Sequence, residues 1–259
     1  HDERLFRHPV DKDRVDRSEL MPGGVLCSDQ KEGLTRLWRP VIPGMVIPLK
    51  MNQGGRDVIE VHVLKCFHSV PTCGYLLAER RKRVRPDLVL EDKKATEENV
   101  KAAKRRGEEV SIQVSVPVLA FLLDTTTEVL EYDVKQSDLI YSCPIIMIEC
   151  SYLERDMESE ARTRKHVVWT ELQPYIVHSI TEAQLEGRNP NTWILIHFSL
   201  RYKEREIIKF FENLRSLGRR LPPQDRPPNI VLWLDSGLKK LWYEGPIPSD
   251  HMALPSTRN

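Results

Sequence analysis

The chain has 259 residues, 40% of them hydrophobic, which is enough for a sizeable core in one or two domains. Its 39 Lys and Arg are nearly balanced by 38 Asp and Glu, so a whole-chain basic footprint for nucleic acid is excluded and any RNA affinity has to come from local patches. No apolar run approaches the length of a membrane span, so no membrane partner is expected. The five cysteines, Cys27, Cys66, Cys73, Cys143 and Cys150, form no CxxC pair and read as reduced thiols of an intracellular protein. The sequence starts at His1 rather than Met, as in a processed or trimmed chain or a piece of something longer, and nothing at its start reads as an intact targeting segment.

Residues 1–40 are charged and poor in apolar periodicity, and read as an irregular N-terminal extension with room for a short surface helix. MPGGV and the following Ser28-Asp-Gln-Lys-Glu-Gly33 read as loop. From Trp38 the character changes: WRPVIPGMVIPL reads as a strand interrupted by turn prolines, and Asn52 to Arg56 as a turn. Ile59, Val61 and Val63 alternate with Glu60 and His62, the pattern of a half-buried strand. A second strand is expected at Gly74–Ala78, with His68 in the loop between them. A helix is expected over Thr96–Arg106, closed by a basic last turn and Gly107. Val110, Ile112, Val114 and Val116 alternate again. The apolar run Val118–Leu123 then reads as a fully buried strand that stops at Asp124. Ile145–Ile148 and Trp193–Ile196 are further buried runs, ending at Glu149 and His197. Glu158–Ile180 reads as helix, broken near Pro174. Tyr202–Leu217 places Ile207, Ile208, Phe211, Leu214 and Leu217 on one face. Ile230–Leu234 is a last strand. Residues 41–240 thus form the α/β body, and 241–259 a Pro- and Ser-rich tail.

Asp124, Glu149 and His197 share a position: each is a polar residue directly after a buried apolar run. The ends of buried strands are where open α/β architectures build their sites. A residue there also serves simply to start a loop or cap a helix. Metal sites need His and carboxylate ligands converging from separate segments, and His68, Asp124, His166 and His197 each lie on a different one.

Several motifs resemble those of tRNase Z, a zinc-dependent RNA-cutting family of the metallo-β-lactamase fold. Ile196-His197-Phe198-Ser199-Leu200-Arg201-Tyr202 resembles its HFSxRY signature. Pro117 to Thr126 resembles P-x-x-A-F-x-G-D-T, Glu149 to Leu153 resembles E-x-T-F-L, Ala161 to His166 resembles A-x-x-x-G-H, and His68 to Tyr75 resembles H-x-x-x-S-x-G-Y. The order and intervals are closest to the short, single-domain form, and the match runs from about Val58 to Asp235. The resemblance implies half of an αββα sandwich, completed by another chain or a missing segment. It implies that His68 and His197 each bind one zinc ion and that Asp124 bridges the pair. It further implies that His166 donates a proton to the leaving oxygen, with Glu149 behind it. The chemistry suits these types: two ions about 3.5–4 Å apart neutralise a phosphate as charge builds up, and a histidine near neutrality protonates the departing oxygen.

The sequence also departs from that family. The zinc-binding H-x-H-x-D-H cluster has no counterpart, since His1 and His8 are the only histidines before His62. Leu123 and Lys165 stand where the family has glycine, which implies altered loop geometry before Asp124 and His166. Two functions follow. One is tRNA 3′-end endonuclease lineage, inactive alone, with a partner chain supplying the missing half of the zinc site. The other is a degenerate structural or assembly subunit of a large ribonucleoprotein such as an organellar ribosome, which would place it in the mitochondrion or another organelle. In either case the partners are RNA, as a tRNA precursor or ribosomal RNA, and a protein covering the missing half-fold. Arg80, Arg81, Lys82 and Arg83, with Lys104 and Arg105, are candidate backbone contacts for RNA, as is Arg201, although charge runs of this kind also serve as solvated faces. Trp233 and Trp242 read as core or interface.

Overall fold

The computed structural model describes residues 25–29, 34–38, 41–50, 58–217 and 228–243. The chain divides into two units, 1–42 and 43–259. In the first, β1 (Val25–Asp29) and β2 (Leu34–Trp38) pair as an antiparallel hairpin. Val25, Ser28 and Asp29, expected as loop, belong to β1 and pair with Trp38, Thr35 and Leu34 in a local hairpin. The expected turn at Asn52–Arg56 and the N-terminal surface helix lie outside the described residues.

The second unit carries an α/β fold built on one eight-stranded sheet. In chain order its strands are β3 (Val46–Lys50), β4 (Val58–Lys65), β5 (Cys73–Val84), β6 (Ser111–Leu122), β7 (Ile145–Glu149), β8 (Thr192–Ile196), β9 (Ile230–Leu234) and β10 (Gly237–Leu241). The order across the sheet is β10-β9-β8-β7-β6-β5-β4-β3. β6 to β9 pair in parallel and the flanking strands antiparallel. The parallel strands are the continuous apolar runs of the sequence, as strands packed in mid-sheet require. The helices are α1 (Lys93–Arg105), α2 (Val134–Tyr141), α3 (Glu158–Arg164), α4 (Trp169–Leu185) and α5 (Glu204–Leu217). Asp92 caps α1 by accepting from the Lys94 and Ala95 amides, and Asp133 caps α2 through the Gln136 amide.

The register gives the sheet two unlike faces. Leu64, Leu76, Ala78, Ala120, Leu122, Ile146, Ile148, Trp193, Leu195 and Leu232 point to one side and join Ile140 of α2, Leu172 and Ile176 of α4 and Phe211 of α5 in the main core. The alternate residues are equally apolar and none belongs to that core: Val63, Met147 and Val231 are buried, while Val61, Tyr75, Leu77, Leu119, Phe121, Ile145, Ile194 and Ile196 are half-buried. They run in register across the sheet from β4 to β8 and on to Trp233, which is 53% exposed rather than core. Trp242, by contrast, is buried. One sheet with helices packed on one face and an apolar second face is the arrangement expected of half a sandwich.

The expected break near Pro174 is absent, and α4 passes through it. The helix is instead interrupted at Lys165–Val168. There Val168 bridges to Tyr152, whose amide donates to the Val167 carbonyl and whose carbonyl accepts from the Trp169 amide. Tertiary pairing, not proline, separates α3 from α4.

Candidate functional site

The ends of β4, β6, β7 and β8 lie along one edge of the sheet, because β4 and β6 both run antiparallel to β5 and β6 is parallel to β7 and β8. His68 follows β4, Asp124 follows β6, Glu149 ends β7 and His197 follows β8. The α3 C-terminus delivers His166 to the same edge. The imidazoles form a row, with ring centroids 5.0 Å apart from His68 to His166 and 5.4 Å from His166 to His197. Asp124 Oδ1 lies 3.5 Å from His197 Nε2.

Glu149 is the centre of the construction and is fully buried. Its Oε1 accepts from the Thr125 amide at 2.5 Å, while Oε2 accepts from Ser151 Oγ at 2.7 Å and lies 2.8 Å from His166 Nδ1. His197 Nδ1 is 3.7 Å from the same oxygen, too far for a full hydrogen bond but close enough for charge to be felt. Burial on its own would raise the Glu149 pKa. The His197 ring, the Ser151 hydroxyl, the His166 ring and the Thr125 amide outweigh it and hold the carboxyl below its ordinary value. Reciprocally, the Glu149 carboxylate holds His197 above the ordinary histidine value against partial desolvation, with Asp124 adding to the effect.

All three rings are held through Nδ1: His68 by the Lys165 carbonyl at 3.0 Å, His166 by Glu149, and His197 by Ser151 Oγ at 3.1 Å. Anchoring at Nδ1 leaves Nε2 for a metal or a proton, which is how ligating histidines are ordinarily supported. The ligand atoms of Asp124, His166 and His197 all lie within 4.8 Å of one another, close enough to converge on one divalent ion. That spacing suits one divalent ion, and His68, expected as a ligand, lies outside the group. The donor set does not fit a pair, because one histidine and a shared carboxylate per ion is too few.

Three non-glycine residues among those described have left-handed backbone, and all three are here: Asp124 (φ 47°), Lys165 (57°) and His197 (58°). Lys165 takes this conformation as the residue that closes α3, which explains why glycine suits that position. Leu123 is not in the left-handed region, so a leucine there brings no such strain; the unusual conformation falls on Asp124. Gly74 is under a different constraint. A Cβ there would meet Leu122 Cδ2 at 2.8 Å, Cys66 Sγ at 3.0 Å and the Phe121 carbonyl at 3.1 Å, so a side chain at this position would force its neighbours to shift.

The sequence did not single out Thr125 or Ser151. Thr125 ties three loops, its amide to Glu149 and its Oγ1 accepting from the Phe67 amide at 3.0 Å. A hydroxyl directly after the Asp124 run, and another two residues past Glu149, was the signal available. Arg201 packs its guanidinium 5.0 Å over the Tyr152 ring and pairs with Glu160 at 2.8 Å, so it braces α3. Tyr202 donates to Glu154 at 2.6 Å. The basic candidates Arg80, Arg81, Lys82 and Arg83 lie on the exposed outer half of β5, away from the strand ends that carry the site. Arg80 and Arg81 face Glu60 and Glu79 at 3.4 and 2.5 Å, while Lys82 and Arg83 have no carboxylate partner among the described residues. Lys104 and Arg105 are exposed in the last turn of α1. A cleft of about 770 Å³ opens at the opposite ends of β7 and β8, lined by Tyr141, His178 and Asn191, and takes no part in this cluster.

No family model matches the chain. Over 151 residues it is 30% identical to the Ribonuclease Z of Kineococcus radiotolerans, an alignment covering 54% of this chain and 42% of that protein. That likeness supports a distant relationship to the ribonuclease Z family. The chain spans less than half the length of this relative.

Proposed function

We propose that this chain carries part of a metal-dependent phosphodiester-cleaving site for RNA, of the tRNA 3′-end endonuclease lineage, and that it is inactive until another polypeptide segment completes it. The observation that carries the reading is the row of three Nδ1-anchored imidazoles beside Asp124, at the strand ends of a chain similar to a ribonuclease Z. Asp124 and His197 would hold one zinc ion; His68, outside the group that converges on a single ion, would serve a second ion whose other ligands come from the completing segment. His166, backed by Glu149, stands beside them to protonate the leaving oxygen. When bound, zinc neutralises phosphate charge and supplies hydroxide. The completing segment would seat a second sheet on the apolar face running from Val61 to Trp233 and bring the remaining ligands. Lys82, Arg83, Lys104 and Arg105, without a carboxylate partner among the described residues, would contact the RNA backbone.

One observation favours a second reading, a ribonuclease Z-like structural subunit of a ribonucleoprotein: the absent H-x-H-x-D-H cluster. Calorimetric zinc titration of the chain separates the two. The metal-site reading expects one weakly bound ion per chain, lost in His197→Ala. Identical titrations for wild type and His197→Ala contradict it.

A further inference from the structure

Lys165 stands at the site in a conformation that glycine would adopt at no cost. Its carbonyl takes the His68 Nδ1 contact, a service any residue type would supply. What lysine adds is an ammonium on a flexible stem. The side chain is exposed, and among the described residues no carboxylate answers its charge. The neighbouring cations are otherwise engaged: Arg162 pairs with Glu171 at 2.8 Å, Arg164 with Glu160 at 3.1 Å and Arg201 with Glu160 at 2.8 Å. Toward an incoming ligand the cluster presents the Asp124 carboxylate, with Glu149 behind it, so a phosphodiester needs a cation nearby to be attracted.

We propose that Lys165 is the phosphate contact of this site, its ammonium binding the non-bridging oxygens of an RNA phosphodiester that lies over His166 and His197. The assignment rests on reading the cluster as an RNA site. It accounts for a lysine in a left-handed position, where the backbone alone would favour glycine.

The test is a salt titration of binding between the full chain and a 3′-extended tRNA transcript, for wild type, Lys165→Gln, Lys165→Arg and Lys165→Gly. Lys165→Gln should weaken binding several-fold and lower the slope of log affinity against log salt by about 1, the signature of one lost phosphate contact. Lys165→Arg should restore both. Lys165→Gly should bind as weakly as Lys165→Gln yet melt at a higher temperature, which separates charge from backbone. Equal affinity and slope for wild type and Lys165→Gln would overturn the proposal. Failure of the wild-type chain to bind the transcript at all would remove the RNA reading, and the proposal with it.

Discussion

Glu149 stays ionised without any solvent exposure because its oxygens are surrounded by Thr125, Ser151, His166 and, at 3.7 Å, His197. Glutamine at this position keeps the shape but offers one acceptor oxygen and an amide that opposes the remaining donors. Glu149→Gln should therefore cost about 1.5–3 kcal/mol, the worth of hydrogen bonds to a charged group. A urea-unfolding midpoint unchanged by the substitution would contradict this account. Cys143 gives a pH test remote from the His–Asp cluster. Burial pushes its thiol from 9.0 up to about 12. A raised folded pKa means the unfolded chain loses the proton first, so this contribution to stability is complete below pH 9 and is lost as pH rises toward about 12. Stability measured across that window should fall less steeply in Cys143→Ala than in wild type, and parallel curves would refute the claim. At this scale the sequence exposed Asp124, Glu149 and His197, since a polar residue after a buried run stands out. Thr125 and Ser151 were hidden because partners that define their roles, Glu149 and His197, lie 24 and 46 residues away.

The strands β4 to β9 were legible as elements because alternation and buried apolar runs are local signals. α2 was not: it is short, and it is anchored by the Asp133 cap and by a buried Gln136, whose amide donates to the Lys65 and Val129 carbonyls. β10 was missed because Gly-Leu-Lys-Lys-Leu shows little alternation and is held by pairing with β9. The helix break was misplaced because a proline is visible in sequence, whereas the Tyr152–Val168 bridge is tertiary. Pro174 sits inside α4, where it supplies no amide to the ladder. Pro174→Ala should stabilise the protein by about 1–2 kcal/mol, the cost of an interior proline less the entropy it removes from the unfolded chain. Thermal melts with no gain would mean that surrounding contacts depend on the proline.

For the whole molecule the two sheet faces decide the outlook. One is filled by α2, α4 and α5, and the other offers an apolar surface from β4 to β9 that no residue of the main core covers. Continuous apolar runs mark strands with apolar residues on both faces, yet they do not distinguish a covered face from an open one. Under the proposed function His166 is the proton donor, which leaves Asp124 and His197 as ligands, so a pair of ions needs further ligands from elsewhere. The most direct test of the proposed function is zinc content measured on the same sample of isolated chain that is assayed for cutting a 3′-extended precursor tRNA. The expected result is no stoichiometric zinc pair and no cleavage, with both appearing together when a segment carrying H-x-H-x-D-H is supplied. Two tightly bound zinc ions per chain, with cleavage in the absence of any partner, would contradict the account.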